Sequence, residues 1–132
     1  MKLKAIIFFF LFQFVAYAQV YKMKAFAFSF KYEQENGLWT NWSEWEECNV
    51  LCTIDANKER ISIYSKETQI YDIIENEGSF YDEDGDWIWP LVGIDNEGGM
   101  CRVRIIKKES GDIELYVDYE DIIWAYSVYN LD

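Results

Sequence analysis

Apolar and polar residues alternate with a period of two through residues 42–75, and this pattern most constrains what the chain folds into. Within this segment, four apolar residues share one side of an extended chain: Cys48, Val50, Cys52 and Ile54. A period of two places successive side chains on opposite faces of a pleated strand, so one face lies in a core. The connections are short and contain Asp, Asn and Ser, which favour turns, and short connections require antiparallel pairing. The segment is therefore interpreted as three antiparallel β-strands.

The same alternation extends from a predicted first strand at Val20–Tyr32 to a predicted last strand near Ile122–Tyr129. No stretch shows a persuasive helical period, so the chain is predicted to be all-β, with eight or nine short strands. A single antiparallel meander of this many strands curls, because strands twist with a fixed hand. We expect it to close into a small up-and-down, lipocalin-like barrel. The alternative is a two-layer β-sandwich, since the pattern does not specify register or shear.

The first residues have the composition of an export signal rather than of the fold. A short basic start, Met1 to Lys4, precedes an apolar run that ends before Ala16-Tyr17-Ala18. This order predicts a signal peptide at residues 1–18, cleaved before Gln19, and a single β domain at residues 19–132. The alternative is an N-terminal membrane anchor, but the run is short for a bilayer span of about 20 residues. The protein is therefore expected to be exported, to the periplasm or out of the cell, with no membrane span after cleavage.

Composition excludes several classes of function. The formal net charge is −12 at pH 7, and an acidic surface repels phosphate backbones, so nucleic acid is not an expected partner. The charge serves solubility, or alternatively attracts a cationic partner or calcium. The sequence contains no histidine, which excludes Ser-His-Asp and Cys-His sites. No cofactor is expected.

Three cysteines leave an odd number for an exported protein. Cys48 and Cys52 lie roughly 13 Å apart along one strand, too far to bridge each other. Either of them is a candidate to form a disulfide with Cys101 if their strands meet. The alternative is three free thiols that pack as small apolar groups.

An acidic, glycine-containing turn is a weak candidate for a metal site. Asp82, Asp84 and Asp86 follow one another with a spacing that suggests calcium but does not match an EF-hand loop. The alternative is a solvated hairpin tip.

Aromatic residues make up 19% of the chain, more than a core of this size needs, which predicts a binding role. The first strand is expected to place Phe26, Phe28, Phe30 and Tyr32 on one face, as a wall of the core or of a cavity. The candidate ligand-binding residues are Phe26, Phe28, Phe30, Trp42, Trp45, Trp87 and Trp89. We expect a non-catalytic domain that binds a small apolar ligand inside the barrel, or a protein or glycan on its aromatic surface.

An enzymatic alternative depends on three glutamates beside two of these tryptophans. Glu44, Glu46 and Glu47 lie close to Trp42 and Trp45, as in glycoside hydrolases that pair carboxylates with aromatic sugar platforms. Acidic residues are frequent throughout the chain, so their proximity in sequence carries little weight. The protein is accordingly predicted not to be an enzyme, and a structural or phage-associated component is a third alternative.

Four segments of the chain together carry a resemblance: WSEWEECNVL, IDANKERISIYSKETQIYDIIE, IDNEGGMCRVRI and LYVDYEDIIWAYSVYNLD. In them the chain resembles a family of short secreted all-β proteins from gut bacteria and their phages. The resemblance covers nearly all of the chain after the leader. It implies export and one compact β domain, and it implies no activity and no functional residues.

Overall fold

The computed structural model describes residues 20–131, which form nine β-strands and their connections. The strands are β1 (Val20–Tyr32), β2 (Glu46–Asp55), β3 (Arg60–Tyr64), β4 (Thr68–Asn76), β5 (Phe80–Tyr81), β6 (Trp87–Asp95), β7 (Met100–Lys107), β8 (Ile113–Asp118) and β9 (Ile122–Asn130). The predicted signal peptide and its cleavage site lie outside the described residues. Between residues 20 and 131 there is no helix with the length and hydropathy needed to span a membrane.

Eight of these strands form a closed barrel. They pair antiparallel in the order β1-β2-β3-β4-β6-β7-β8-β9, and a long ladder between β1 and β9 completes the ring. The short strand β5 pairs with β6 alone, beyond the end of β4. The predicted up-and-down barrel is confirmed and the sandwich alternative is wrong. The accumulated twist of the meander brings its first and last strands together, which leaves no long unpaired edge within the ring.

The interior of the barrel is filled by apolar side chains from the strands of the ring. Six aliphatic or thiol side chains are fully buried there: Cys52, Ile61, Ile63, Val103, Leu115 and Val117. Each fully buried Leu, Ile or Val side chain stabilises the fold by roughly 1.5–3 kcal/mol relative to an exposed one. The predicted inward face of β2 is therefore confirmed, because Cys52 is buried and Cys48, Val50 and Ile54 pack against the core.

The predicted face of β1 is wrong at Phe26, and Tyr32 at the end of the strand is 47% exposed. Against β9, Ala25 pairs with Val128 and Ala27 pairs with Ser127, so Phe26 is the extra residue of a β-bulge. One extra residue reverses the alternation, and the side chain of Phe26 is 51% exposed on the outside of the barrel. Phe28 and the residues beyond it resume the alternation, shifted by one position.

Of the two alternatives for the cysteines, the disulfide with Cys101 is not formed, and the topology explains why. Cys48 and Cys52 lie on β2, and Cys101 lies on β7. Three strands separate β2 from β7 in either direction around the ring, so the condition that these strands meet is not fulfilled. All three cysteines are free thiols that pack in or against the core, which is the alternative arrangement.

The two ends of the barrel differ in how the chain crosses them. One end carries the long β1–β2 connection, residues 33–45, and the turns 65–67, 96–99 and 119–121. We call this end the mouth. The opposite end carries the β2–β3 turn, the segment around β5, and the β7–β8 turn.

Candidate functional site

A cavity of about 660 Å³ opens at the mouth of the barrel. Its walls come from β1, β2, β4 and β9, and its rim comes from the turns 65–67 and 96–99 together with Tyr119. Pockets that bind small molecules in proteins usually have volumes of about 300–1,000 Å³. The cavity therefore has the size of a small-molecule site.

One side of the cavity is an aromatic wall formed by Phe28, Trp124 and Tyr126. Phe28 pairs with Tyr126 across β1 and β9, and its ring centroid lies 6.4 Å from that of Tyr126 and 6.3 Å from that of Trp124. Phe30 supports Trp124 with a centroid separation of 5.1 Å. These separations are typical of attractive aromatic pairs, so the wall is held in one arrangement by its own packing.

A second side of the cavity is a polar network centred on Gln69. Its Nε2 donates to Ser65 Oγ at 3.0 Å and to the Tyr126 hydroxyl at 3.3 Å. Its Oε1 accepts a hydrogen bond of 2.6 Å from the Tyr71 hydroxyl. The amide is thereby oriented without a ligand. Burial raises the pKa of both Tyr71 and Tyr126, so their phenols stay protonated near neutral pH.

The rim carries the carboxylate of Asp95, which accepts hydrogen bonds on both of its oxygens. Asp95 Oδ1 accepts the backbone N–H groups of Glu97 and Gly99 at 2.9 and 2.7 Å, and Oδ2 accepts the Tyr119 hydroxyl at 2.7 Å. The hydrogen bond from Tyr119 is the main reason why the pKa of Asp95 lies below its usual value, and the backbone donors add to it. Asp95 therefore places a fixed negative charge beside the cavity at neutral pH.

The backbone contacts of Asp95 repeat at two other turns. Asp55 accepts the N–H groups of Asn57 and Lys58, and Asp82 accepts those of Asp84 and Asp86. An Asp side chain that bonds backbone two to four residues ahead stabilises a tight turn, which explains why each of these hairpins begins with Asp. Of the three, Asp95 alone lines the cavity.

The carboxylates of Asp82, Asp84 and Asp86 offer oxygen atoms within 4.8 Å of one another, at the end opposite the mouth. Asp82 and Asp86 also stabilise local structure, because Asp86 Oδ1 accepts the backbone N–H of Glu109 at 3.0 Å. These contacts suit a hairpin tip, and calcium binding there stays a prediction.

Two more carboxylates and one ammonium group complete the rim. Glu67 and Glu97 line the cavity together with Asp95, and Lys66 is the basic residue among the lining side chains. The lining thus holds three negative groups and one positive group.

All three cysteine thiols have raised pKa values. Cys48 lines the cavity, and burial raises its pKa. Burial also raises the pKa of Cys52 to about 12 and that of Cys101 to about 11. The thiolate is the reactive form of cysteine, so the raised pKa values make all three thiols weak nucleophiles near neutral pH.

The structure separates the seven residues predicted from sequence to bind a ligand. Phe28 lines the cavity, and Phe30 lies behind it against Trp124. The other five lie elsewhere, either exposed on the outer surface or packed at the opposite end: Phe26, Trp42, Trp45, Trp87 and Trp89.

The aromatic residues on the outer surface form a ladder with basic residues. Lys31 Nζ lies 5.8 Å from the ring centroid of Trp39 and 4.9 Å from that of Trp42. Trp42 meets Tyr116 edge-on at 6.0 Å, and the Arg104 guanidinium lies 4.5 Å from the centroid of Tyr116. We call these five residues the outer ladder.

The β1–β2 connection holds Trp42 in this position. Ser43 Oγ accepts the backbone N–H of Phe30 at 2.9 Å, and the carbonyl of Ser43 accepts the Ser29 hydroxyl at 2.7 Å. The connection is therefore fastened along the outside of β1.

The glutamates of the enzymatic alternative lie away from the cavity. Glu44, Glu46 and Glu47 are exposed, and none of them lines it. The structure thus does not bring the predicted carboxylates together around the cavity.

The residues that sequence reasoning missed are those that the barrel brings to the mouth. Trp124 and Tyr126 were visible as one face of the last strand, and Gln69 was visible as a polar residue two positions before Tyr71 on one strand. That these side chains share a cavity depends on the closure between β1 and β9 and on strand register.

No protein-family model, no curated protein and no solved structure matches this chain. Its function is therefore inferred from the geometry of the cavity.

Proposed function

We propose that the chain is a non-catalytic binding protein that holds a small ligand in the cavity at the mouth. The observation that carries the proposal is a cavity of about 660 Å³ with an aromatic wall on one side and an oriented polar network on the other. Apolar walls with a few directed polar groups are typical of ligand sites.

The two sides of the cavity suit different parts of one ligand. An apolar or aromatic body fits against Phe28 and Trp124, and a polar group fits near Gln69 and the Tyr126 hydroxyl. Gln69 donates to the oxygen of Tyr126, which leaves the Tyr126 proton outside that bond and available to an acceptor on the ligand. Gln69, Tyr71 and Tyr126 already hydrogen-bond with one another, so an acceptor on the ligand adds a contact there but is not required for binding.

The site requires little rearrangement. The hydrogen bonds of Gln69, Tyr71 and Tyr126 and the packing of the aromatic wall are complete without a ligand. A preorganised site avoids the free-energy cost of ordering side chains on binding.

The experiment uses N-phenyl-1-naphthylamine, an uncharged probe whose fluorescence rises in apolar surroundings. We expect saturable one-to-one binding to the wild-type protein. Cys48→Trp places a large ring in the cavity and should abolish the signal. Asn49→Trp, its matched control on the exposed side of the same strand, should retain it. Binding that does not saturate, or that survives in the folded Cys48→Trp protein, would contradict the proposal.

We further propose that binding takes place after export. The basic start, the apolar run and Ala16-Tyr17-Ala18 support this. The mass of the processed protein should correspond to a chain that begins at Gln19. A chain recovered from the envelope with its leader attached would contradict export by cleavage.

A further inference from the structure

We infer that the ligand of this cavity is an organic cation, with a positively charged nitrogen and an apolar or aromatic body. This inference rests on the proposed function, because it names the chemical class of the ligand for the same cavity. Three features of the chain support it.

The first feature is the charge of the lining. Asp95, Glu67 and Glu97 face the cavity against a single ammonium group, that of Lys66. Asp95 is held as a carboxylate by three hydrogen bonds and does not depend on a ligand for its charge. A cation in the cavity gains from this arrangement, and an anion is repelled by it.

The second feature is the aromatic wall. Elsewhere on the barrel, Trp42 and Tyr116 lie beneath cations of the chain itself, Lys31 and Arg104. Over Phe28, Trp124 and Tyr126 no Lys or Arg lies at comparable distance within residues 20–131. The π faces of aromatic rings attract cations, most strongly where water is excluded. A cationic ligand at the wall can therefore make the cation–π contact that Lys31 and Arg104 make with the outer rings.

The third feature is the field of the whole chain. Its net charge of −12 attracts cations over a distance of about one Debye length and lowers the local concentration of anions. Charged groups around a cavity with low-dielectric walls focus that field into the opening. A cationic ligand is therefore favoured both in its approach and in its bound position.

The test compares three probes of similar size by titration calorimetry on the wild-type protein: trimethyl(2-phenylethyl)ammonium, 4-phenyl-2-butanol and 4-phenylbutanoate. We expect the cation to bind about tenfold more tightly than the alcohol, and the anion to bind most weakly. Raising the salt concentration should weaken binding of the cation and leave that of the alcohol unchanged.

Matched variants locate the effect. The double substitution Glu67→Gln and Glu97→Gln should weaken binding of the cation about fivefold to tenfold, with no change for the alcohol. Glu35→Gln removes an exposed charge at the same end of the barrel but outside the cavity, and should change neither. All of these side chains are exposed, so the variants should fold as the wild type does.

The outcomes separate the two proposals. If the alcohol binds and the cation shows no preference, the inference is overturned and the binding function stands. If Glu35→Gln weakens binding of the cation as much as the double substitution does, the attraction comes from the charge of the whole surface, and the inference is overturned. If none of the three probes binds to the folded protein, both the proposed function and the inference fail.

Discussion

The barrel has two aromatic regions built from the same residue types, and the rings of each region lie against different kinds of polar or charged group. In the outer ladder, Lys31 and Arg104 lie against the rings of Trp42 and Tyr116. In the cavity, the wall of aromatic rings faces carboxylates and amide groups instead. The comparison shows that aromatic content alone does not define a binding site. The two regions differ in whether a cationic side chain of the protein already lies against the rings.

The difference has a structural origin. The outer ladder lies on the convex surface, where long basic side chains of neighbouring strands reach across the rings and keep their charges in water. The cavity wall lies on the inward face of the strands, where the alternation places apolar and aromatic side chains and leaves the long basic ones on the outside. The same alternation that builds the barrel therefore divides the aromatic residues into two classes.

The largest expected effect compares one ring from each region. Trp124→Ala removes a ring that contacts Phe28 and Phe30, and we expect the free energy of unfolding to fall by about 2–4 kcal/mol. Trp42→Ala removes a ring that is 42% exposed, and we expect a loss below about 1 kcal/mol. Urea unfolding followed by circular dichroism measures both. Equal losses would mean that the two regions are not energetically distinct.

A smaller effect is expected in the outer ladder. Arg104 forms an ion pair with Asp118 through Nε and Nη2, at 2.5 and 3.0 Å, and also stacks on Tyr116. Arg104→Met should lower the free energy of unfolding by about 1 kcal/mol, because this ion pair is bidentate and partly shielded from solvent. Cation binding in the cavity should stay as in the wild type. A variant that lost cation binding would place the ligand on the outer ladder instead.

Alkylation of the Cys48 thiol tests occupancy of the cavity without a substitution. Its raised pKa predicts slow alkylation by iodoacetamide near neutral pH and a faster reaction as the pH rises. Trimethyl(2-phenylethyl)ammonium at saturating concentration should slow this reaction severalfold, because Cys48 lines the cavity. Peptide mapping by mass spectrometry identifies the modified residue. Unchanged labelling of Cys48 at saturation would place the bound probe outside the cavity.

The smallest expected effect concerns the charge on the rim. Tyr119→Phe removes the hydroxyl that lowers the pKa of Asp95 most, so that pKa should rise toward its usual value. Since the pKa of Asp95 is lower in the folded state, its contribution to stability is present above its unfolded pKa. That contribution is lost as the pH falls through the folded pKa. The difference in the free energy of unfolding between the wild type and Tyr119→Phe should therefore become smaller as the pH falls through the folded pKa of Asp95.

Carboxyl-carbon NMR titration measures the pKa of Asp95 directly. An unchanged pKa in Tyr119→Phe would show that the backbone donors of the turn, and not the tyrosine, hold the charge.

Much of the fold could be predicted from the sequence because it depends on local alternation. The period of two along β2 identified its inward face, and short turns required antiparallel neighbours. Phe26 was misplaced because a β-bulge arises from the pairing of β1 with β9, and nothing local to the strand marks it. The alternatives for Cys101 stayed open for a related reason, since the distance between β2 and β7 depends on the closure of the ring.

The candidate site was less predictable than the fold. Trp87 and Trp89 were predicted to bind a ligand and Trp124 was not, yet Trp124 lines the cavity and the other two lie at the opposite end of the barrel. The end of the barrel at which a residue lies depends on the direction of its strand and on the register of every strand pair around the ring. Gln69 carried the clearest local signal, because a polar side chain on an inward face requires a partner there.

The most direct test is an NMR titration of the isotope-labelled protein with trimethyl(2-phenylethyl)ammonium. We expect the indole N–H resonance of Trp124 and the side-chain amide of Gln69 to shift along one saturable curve, while the indole resonance of Trp42 stays in place. Shifts at Trp42 with none at Trp124 or Gln69 would contradict the account, because the cation would then bind the outer surface and not the cavity.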